Sequence, residues 1–213
     1  MQFKKFLHLI ILMENNKVSS IKEDPVNILL IYICICLNPI YKFIINMLFI
    51  PTNWGANILT TFSLIIGLVS LYYIYYGFYA IGAGLFFLAY FFDTWDGLYA
   101  RQYKAVTKFG DYYDHICDGI KISGLLIVMI ISKKISLKNK IIFVCLFFVL
   151  GMLTLWHLGC QQRNYKKRNH KEMLDGLIPM CKKDSDIKYS KFFGTGIIVF
   201  IMSLFILSLR YKN

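Results

Sequence analysis

Charge is scarce in this chain. Only 17% of its 213 residues are Asp, Glu, Lys or Arg, against about a quarter in an ordinary soluble domain. Acid is scarcer still: 12 Asp and Glu face 24 Lys and Arg, for a net charge of +12. The deficit argues against water as the main solvent of the fold. Cysteine pairing motifs are also missing. Cys34, Cys36, Cys117, Cys145, Cys160 and Cys181 form no CxxC, and most lie in or beside apolar runs. They read as small buried hydrophobes rather than a disulfide framework or a zinc site. A secretory signal is not evident either. Lys4 and Lys5 precede only the short apolar stretch Phe6 to Met13, with no clear small-residue cleavage site. This segment stays open between a surface-lying amphipathic piece and an upstream extension before a start at Met13.

What is abundant is apolar surface in long blocks, with 57% hydrophobic and 17% aromatic residues. Five blocks are candidates to span a bilayer: Ile58 to Tyr76, Phe78 to Phe92, Gly119 to Ser132, Ile141 to Leu158 and Phe192 to Leu209. A spanning helix needs roughly 20 mainly apolar residues, so the second and third blocks must borrow from the polar stretch between them. Pro39 removes a backbone donor and predicts a break. Ile40 to Ile50 is then an amphipathic helix in the interface, and Val26 to Leu37 a short candidate for a sixth span. The expected fold is an all-α, multi-pass transmembrane bundle of five to six spans with an N-terminal interfacial helix. Residues 1–37 form an N-terminal segment and 38–210 the membrane domain.

The basic residues sit between the apolar blocks, which fits loops held against anionic head groups and argues against a nucleic-acid partner. Arg101, Lys104 and Lys108 follow the second block, and Arg163, Lys166, Lys167, Arg168 and Lys171 follow the fourth. The positive-inside rule places this face in the cytoplasm, against the opposing pull of Lys133, Lys134, Lys138 and Lys140. Gln161 to Lys191 reads as a cytoplasmic loop with short helices.

Five of the twelve acidic residues fall between Asp93 and Asp118, flanked by apolar blocks. Ionised groups at membrane depth are costly and mark function. Their spacing is helical. Asp93, Gly97 and Ala100 share one face, with Asp96 and Arg101 bordering it, and Gly110, Asp114 and Asp118 step by four on the next helix. A loop of about eight residues lets the two helices pack antiparallel and bring four carboxylates together. Such a cluster repels itself without a cation. All-oxygen ligands suit Mg²⁺ or Mn²⁺, and two such ions are expected, clamping a diphosphate. Gly97, Ala100 and Gly110 leave room for a nucleotide, and Arg101 can grip a phosphate bidentately.

The segment matches in every fixed position the pattern DxxDGxxARx8GxxxDxxxD, and so resembles the CDP-alcohol phosphatidyltransferase family. Upstream, Asn57 to Thr60 is similar to the Asn-x-x-Thr start of that family's first transmembrane helix, with Ala56 in place of proline. The resemblance implies a phospholipid-synthesis enzyme that transfers a phosphoalcohol group from a CDP-alcohol to a hydroxyl and releases CMP. It implies metal ligands in Asp93, Asp96, Asp114 and Asp118, with Asp118 also the general base. Gly97, Ala100, Arg101 and Gly110 would contact the donor. The implied partners are CDP-alcohol and lipid substrates and membrane lipids, with a homodimer left open. Asn38-Pro39-Ile40-Tyr41, Trp54 and Asp114-His115-x-x-Asp118 look similar to choline and ethanolamine phosphotransferases, favouring a CDP-aminoalcohol donor and diacylglycerol acceptor. The alternative is CDP-diacylglycerol with glycerol phosphate, inositol or serine.

Two other classes compete. A membrane prenyltransferase uses aspartate-rich motifs far apart in sequence, whereas Asp96 and Asp114 are 18 steps apart. A non-enzymatic ion or proton carrier would not need Gly97, Ala100, Arg101 and Gly110 at fixed spacing. His115 and His157 read as packing or interface residues, Asp111 as a solvated carboxylate, and Lys121 as either an anchor or a substrate contact.

Overall fold

The computed structural model describes residues 24–166 and 173–211, with side chains described for 24–163 and 176–210. The expectations for Met1 to Met13, and for Lys167, Arg168 and Lys171, lie outside the described residues. All regular structure among the described residues is helical. Six helices build the bundle: α1 (Pro25–Met47), α2 (Thr52–Tyr75), α3 (Tyr79–Gln102), α4 (Lys108–Ile131), α5 (Leu137–Lys166) and α6 (Thr195–Ser208). Short helical turns lie between α5 and α6, at Met173–Met180, Asp184–Asp186, Ile187–Ser190 and Lys191–Phe193. Among the described residues four stretches are long and apolar enough to cross a membrane: Pro25–Met47, Thr52–Tyr75, Leu137–Arg163 and Asp184–Ser208. The remaining two long helices, α3 and α4, carry the acidic residues.

Three sequence expectations change. The break at Pro39 does not occur, so Val26 to Leu37 and Ile40 onward form one helix of 23 residues. At 1.5 Å per residue that is about 35 Å, enough to span. The neighbouring residue explains why the proline is tolerated. Asn38 is fully buried, and its side-chain amide donates to Gln102 Oε1 at 2.5 Å and accepts from Trp95 Nε1 at 2.7 Å. Packing against α3 therefore holds α1 together where its own ladder lacks a donor. Asn38→Leu should cost about 1–3 kcal/mol, because two polar partners on α3 lose their bonds. Thermal unfolding in detergent measures it.

The second change is at the end of α5, which continues as helix to Lys166, so Gln161 to Lys166 is not loop. The third concerns cysteine. Cys160 and Cys181 form a disulfide, with Cα atoms 4.8 Å apart. Gly159 makes this closeness feasible, since a Cβ there would collide with the Leu177 carbonyl oxygen. A separation of 21 residues gave no motif from which to read the pair. The other four cysteines are free.

Small residues set the bundle's geometry. Ser63, Gly67 and Ser70 line the face of α2 that meets α3, and Ser63 Oγ and Ser70 Oγ donate to the carbonyls of Ala89 and Gly82 at 2.9 and 2.8 Å. In lipid, where apolar side chains gain little by meeting each other, such close approach and interhelical hydrogen bonding drive association. The α2–α3 connection turns at Gly77, whose φ of +83° suits glycine. The outer faces expose Phe62, Ile65, Ile81, Leu88, Ile127 and Phe148, as lipid contact requires. An apolar core of Leu71, Ile74, Phe86, Leu125, Met129, Phe143 and Ile206 fills the end of the bundle away from the acidic residues.

Helix α2 packs against both α3 and α4, whereas α3 and α4 hardly touch along their lengths. The expected direct antiparallel packing of the two motif helices is therefore replaced by a shared seat on α2. The gap that results is the cleft described next.

Candidate active site

The motif residues occupy the second half of α3 and the first half of α4, at the same end of the bundle. Lys104, with φ of +53°, ends the α3 overhang. Thr107 then starts α4 by accepting from the Gly110 N–H at 3.0 Å, a side-chain N-cap. This cap fixes Gly110 at the cleft wall.

Asp93, Asp114 and Asp118 each offer a carboxylate oxygen, all within 4.8 Å of one another. Asp96 is nearly fully buried and accepts from Thr60 Oγ1 of α2 at 2.5 Å. The cleft itself is lined by Asp96, Gly97, Ala100 and Arg101 from α3 and by Gly110 and Asp114 from α4. All eight residues expected from the sequence thus gather at one end, but in two tiers. Asp96 and Asp114 face the cleft, and Asp93 and Asp118 lie beyond its lining.

The behaviour of the glycines fits a cleft wall. A Cβ on Gly97 would meet only the Arg101 guanidinium, at 3.3 Å, so this position opens on the cleft. A Cβ on Gly110 would stand 3.1 Å from both Asn57 Oδ1 and Thr107 Oγ1, a tight fit between α2 and the cap.

Several residues of the site were not singled out from the sequence. Ser63 of α2 receives the Lys121 ammonium, yet an uncharged apolar block gave no reason to separate it from packing residues; Thr60, which holds Asp96, stood in the sequence only as part of the Asn-x-x-Thr resemblance, with no role of its own. Asn57 and Gln162 also line the cleft. Gln162 comes from α5, far along the chain, and carried no motif. Lys121 proves to be neither a surface anchor nor an open-cleft contact. Its ammonium lies 2.6 Å from Asp93 Oδ1, 2.8 Å from Asp118 Oδ1 and 2.6 Å from Ser63 Oγ. Of the weaker sequence candidates, His157 is buried with Nδ1 3.2 Å from Ser190 Oγ, as a packing residue should be. His115 stands beside Asp111 and Asp114 at 3.7 and 3.9 Å.

Electrostatically the site is unfinished. Two of the four carboxylates, Asp93 and Asp118, share a single buried ammonium, and Asp114 Oδ1 is buried with no hydrogen-bond partner. A buried acceptor left bare is costly.

A model of the CDP-alcohol phosphatidyltransferase family matches residues 53–210. A CDP-diacylglycerol–glycerol-3-phosphate 3-phosphatidyltransferase of Rickettsia felis is 45% identical over 53 residues, which cover 25% of this chain and 29% of that protein. No solved structure matches. The family match runs from the start of α2 to the end of α6, and so takes in both motif helices, the α2 residues that hold them and the helices that enclose them. On that span, the chain belongs to the CDP-alcohol phosphatidyltransferase family.

Proposed function

We propose that the chain transfers a phosphoalcohol group from a CDP-linked donor to an acceptor hydroxyl, releasing CMP. The observation that carries this reading is the cleft: an acidic floor walled by Gly97, Ala100 and Gly110 and capped by one free-reaching arginine. Such a site receives a nucleoside diphosphate, whose negative charge needs a cation and whose bulk needs bare backbone. The fit to a divalent metal is supported by the bare Asp114 Oδ1 and by the hard oxygen donors around it. Asp93, Asp96, Asp114 and Asp118 are the residues that would hold it. When bound, Mg²⁺ or Mn²⁺ supplies charge neutralisation for the diphosphate.

The protein's own groups do the rest. Arg101 pairs with a phosphate oxygen of the donor. Asp118 takes the acceptor hydroxyl proton as that oxygen bonds the β-phosphorus. The bond from the β-phosphorus to the bridging oxygen breaks, and CMP leaves with that oxygen. Positioning and charge neutralisation supply most of the acceleration in phosphoryl transfer, so no covalent enzyme intermediate is required.

For the donor, CDP-diacylglycerol with a polar acceptor such as glycerol phosphate is the better-supported reading, because the Rickettsia relative is named for that pair. The residues that pointed to a CDP-aminoalcohol weigh less once placed. Asn38 is tied to Trp95 and Gln102, and Tyr41 donates to the Gly55 carbonyl at 2.7 Å, so both serve helix packing. The cleft is read as opening to the cytoplasm, from the basic loops at that end. The Cys160–Cys181 pair lies near this end, and in a reducing compartment it would stand as two thiols.

The deciding experiment measures CMP release by purified protein offered CDP-diacylglycerol with glycerol phosphate, CDP-choline with diacylglycerol, or CDP-ethanolamine with diacylglycerol. Release only with the first is expected, with loss on chelation and recovery on adding Mg²⁺ or Mn²⁺. Release with CDP-choline would restore the aminoalcohol reading. Full activity in metal-free buffer would remove the metal from the site.

A further inference from the structure

Three side chains on one stripe of α5 hold the segment that leads to α6. His157, Cys160 and Arg163 are three residues apart, so they share one side of the helix. His157 is buried with Nδ1 3.2 Å from Ser190 Oγ. Cys160 is bonded to Cys181. Arg163 donates from Nη1 to the Cys181 carbonyl and from Nε to Asp184 Oδ1, each at 2.8 Å. The stripe is one covalent fastening between two polar ones. Gln162 lies two residues beyond Cys160, about 200° around the helix, and lines the cleft with Gly97, Arg101 and His115. What fastens one side of α5 therefore sets how its other side meets the cleft.

The middle fastening is the one that chemistry can open. Cys160 and Cys181 are both buried, with Trp156 and Ile187 packed around them. Gly159 lets the Met173–Met180 turn close on α5, because a Cβ there would collide with the Leu177 carbonyl oxygen. The two Cα atoms are 4.8 Å apart, within the range a disulfide needs. The contacts of His157 and Arg163 keep the partners near when the bond is open. The cleft end is read as cytoplasmic, and there a protein disulfide is usually transient, catalytic or redox-sensing rather than a permanent tie. The transfer reaction itself makes no use of it.

We propose that Cys160–Cys181 is a reversible oxidation site, a clasp whose state sets the grip of the cleft on its donor through Gln162. The inference rests on the reading of the cleft as the CDP-donor site. Closing the clasp forms the sulfur–sulfur bond and passes two electrons and two protons to a low-molecular-weight disulfide, which leaves as two thiols. Opening is the reverse, with a low-molecular-weight thiol as reductant. With the clasp closed, α5 is pinned at Cys160 and Gln162 is held against the cleft. With it open, the hold falls to His157 and Arg163, and the ligand must order that wall at a cost in affinity. Coupling between two sites is reciprocal, so a bound nucleotide favours the closed pair by the same factor.

The test uses the purified full chain equilibrated in reduced or oxidised glutathione, with CMP in Mg²⁺ buffer as the probe. Mass spectrometry after thiol alkylation counts the closed pair, and calorimetry measures CMP affinity. Affinity should be about 5-fold or more tighter in the oxidised protein, the low end of usual site-to-site coupling. In a glutathione mixture that leaves the pair half oxidised, CMP should raise the oxidised fraction. Cys160→Ser should bind CMP as the reduced wild type does, in either buffer, which sets aside the other four cysteines. Gln162→Ala should bind CMP equally in both buffers while its cysteine pair still forms. Equal CMP affinity in the two states of the wild type, or a pair that stays reduced in oxidised glutathione, overturns the clasp and leaves the donor reading standing. No CMP binding in either state overturns both. The two states of the wild type decide the matter even if Cys160→Ser fails to fold.

Discussion

Asp118→Asn is expected to lower turnover by about 10²–10⁴-fold, the usual contribution of a positioned acid–base group. Donor affinity in Mg²⁺ should stay close to that of the wild type. The substitution keeps the shape and one oxygen, and removes the proton acceptor. It also weakens one of the three contacts of Lys121, but Asp93 and Ser63 still hold the ammonium at 2.6 Å each. The helices should therefore stay in place. Asp93→Asn behaves differently, because Asp93 is the more buried of the two carboxylates on Lys121 and offers an oxygen to the same cluster as Asp114. Its loss should weaken metal and donor binding together. Calorimetric donor affinity beside turnover, for both variants, separates the roles. Equal loss of donor binding in the two would make Asp118 a metal ligand first, with the proton leaving through water or through His115.

The second large effect concerns space rather than charge. Gly110→Val should lower kcat/KM by at least about 10²-fold, the scale of a misplacement near 1 Å at a reacting centre. A Cβ there already stands 3.1 Å from Asn57 Oδ1 and from the capping Thr107 Oγ1. The two further methyl groups of valine must then enter the cleft or push α2 away from α4. Gly97→Val should also abolish donor binding, but for a simpler reason: its Cβ meets only the movable Arg101 guanidinium, so the bulk falls in the cleft itself. Gly97→Ala is the control. It should keep the fold and displace only the arginine, whereas a purely structural glycine would tolerate alanine without any loss of donor affinity. Nucleotide binding measured beside thermal unfolding distinguishes blocked space from a broken fold. Normal donor binding by either folded valine variant would place the donor elsewhere.

The contrast between these two glycines shows how far the chain could be read before it was folded. Both are fixed by a motif whose spacing alone puts them on carboxylate-bearing helix faces. Only the fold shows that Gly110 is wedged between Asn57 and an N-cap while Gly97 faces open space. Lys121 is the sharper case. In sequence it is one lysine at the edge of an apolar block, open between anchor and contact. Its meaning comes from Ser63 and Asp93, which are 58 and 28 residues away along the chain.

By itself the sequence determined the all-α class, the apolar blocks, and the eight motif residues that meet at one end of the bundle. These follow from local physics. Hydrophobic runs need a helix in lipid, and steps of three and four residues share a helix face wherever that helix goes. The tertiary structure alone decided the unbroken path through Pro39, the Cys160–Cys181 pairing, the cleft between α3 and α4, and the division of the acids into two tiers. Each depends on which faces of distant helices meet. A proline's effect depends on the partner that holds the helix across it, and a cysteine's on a neighbour that no local spacing reveals.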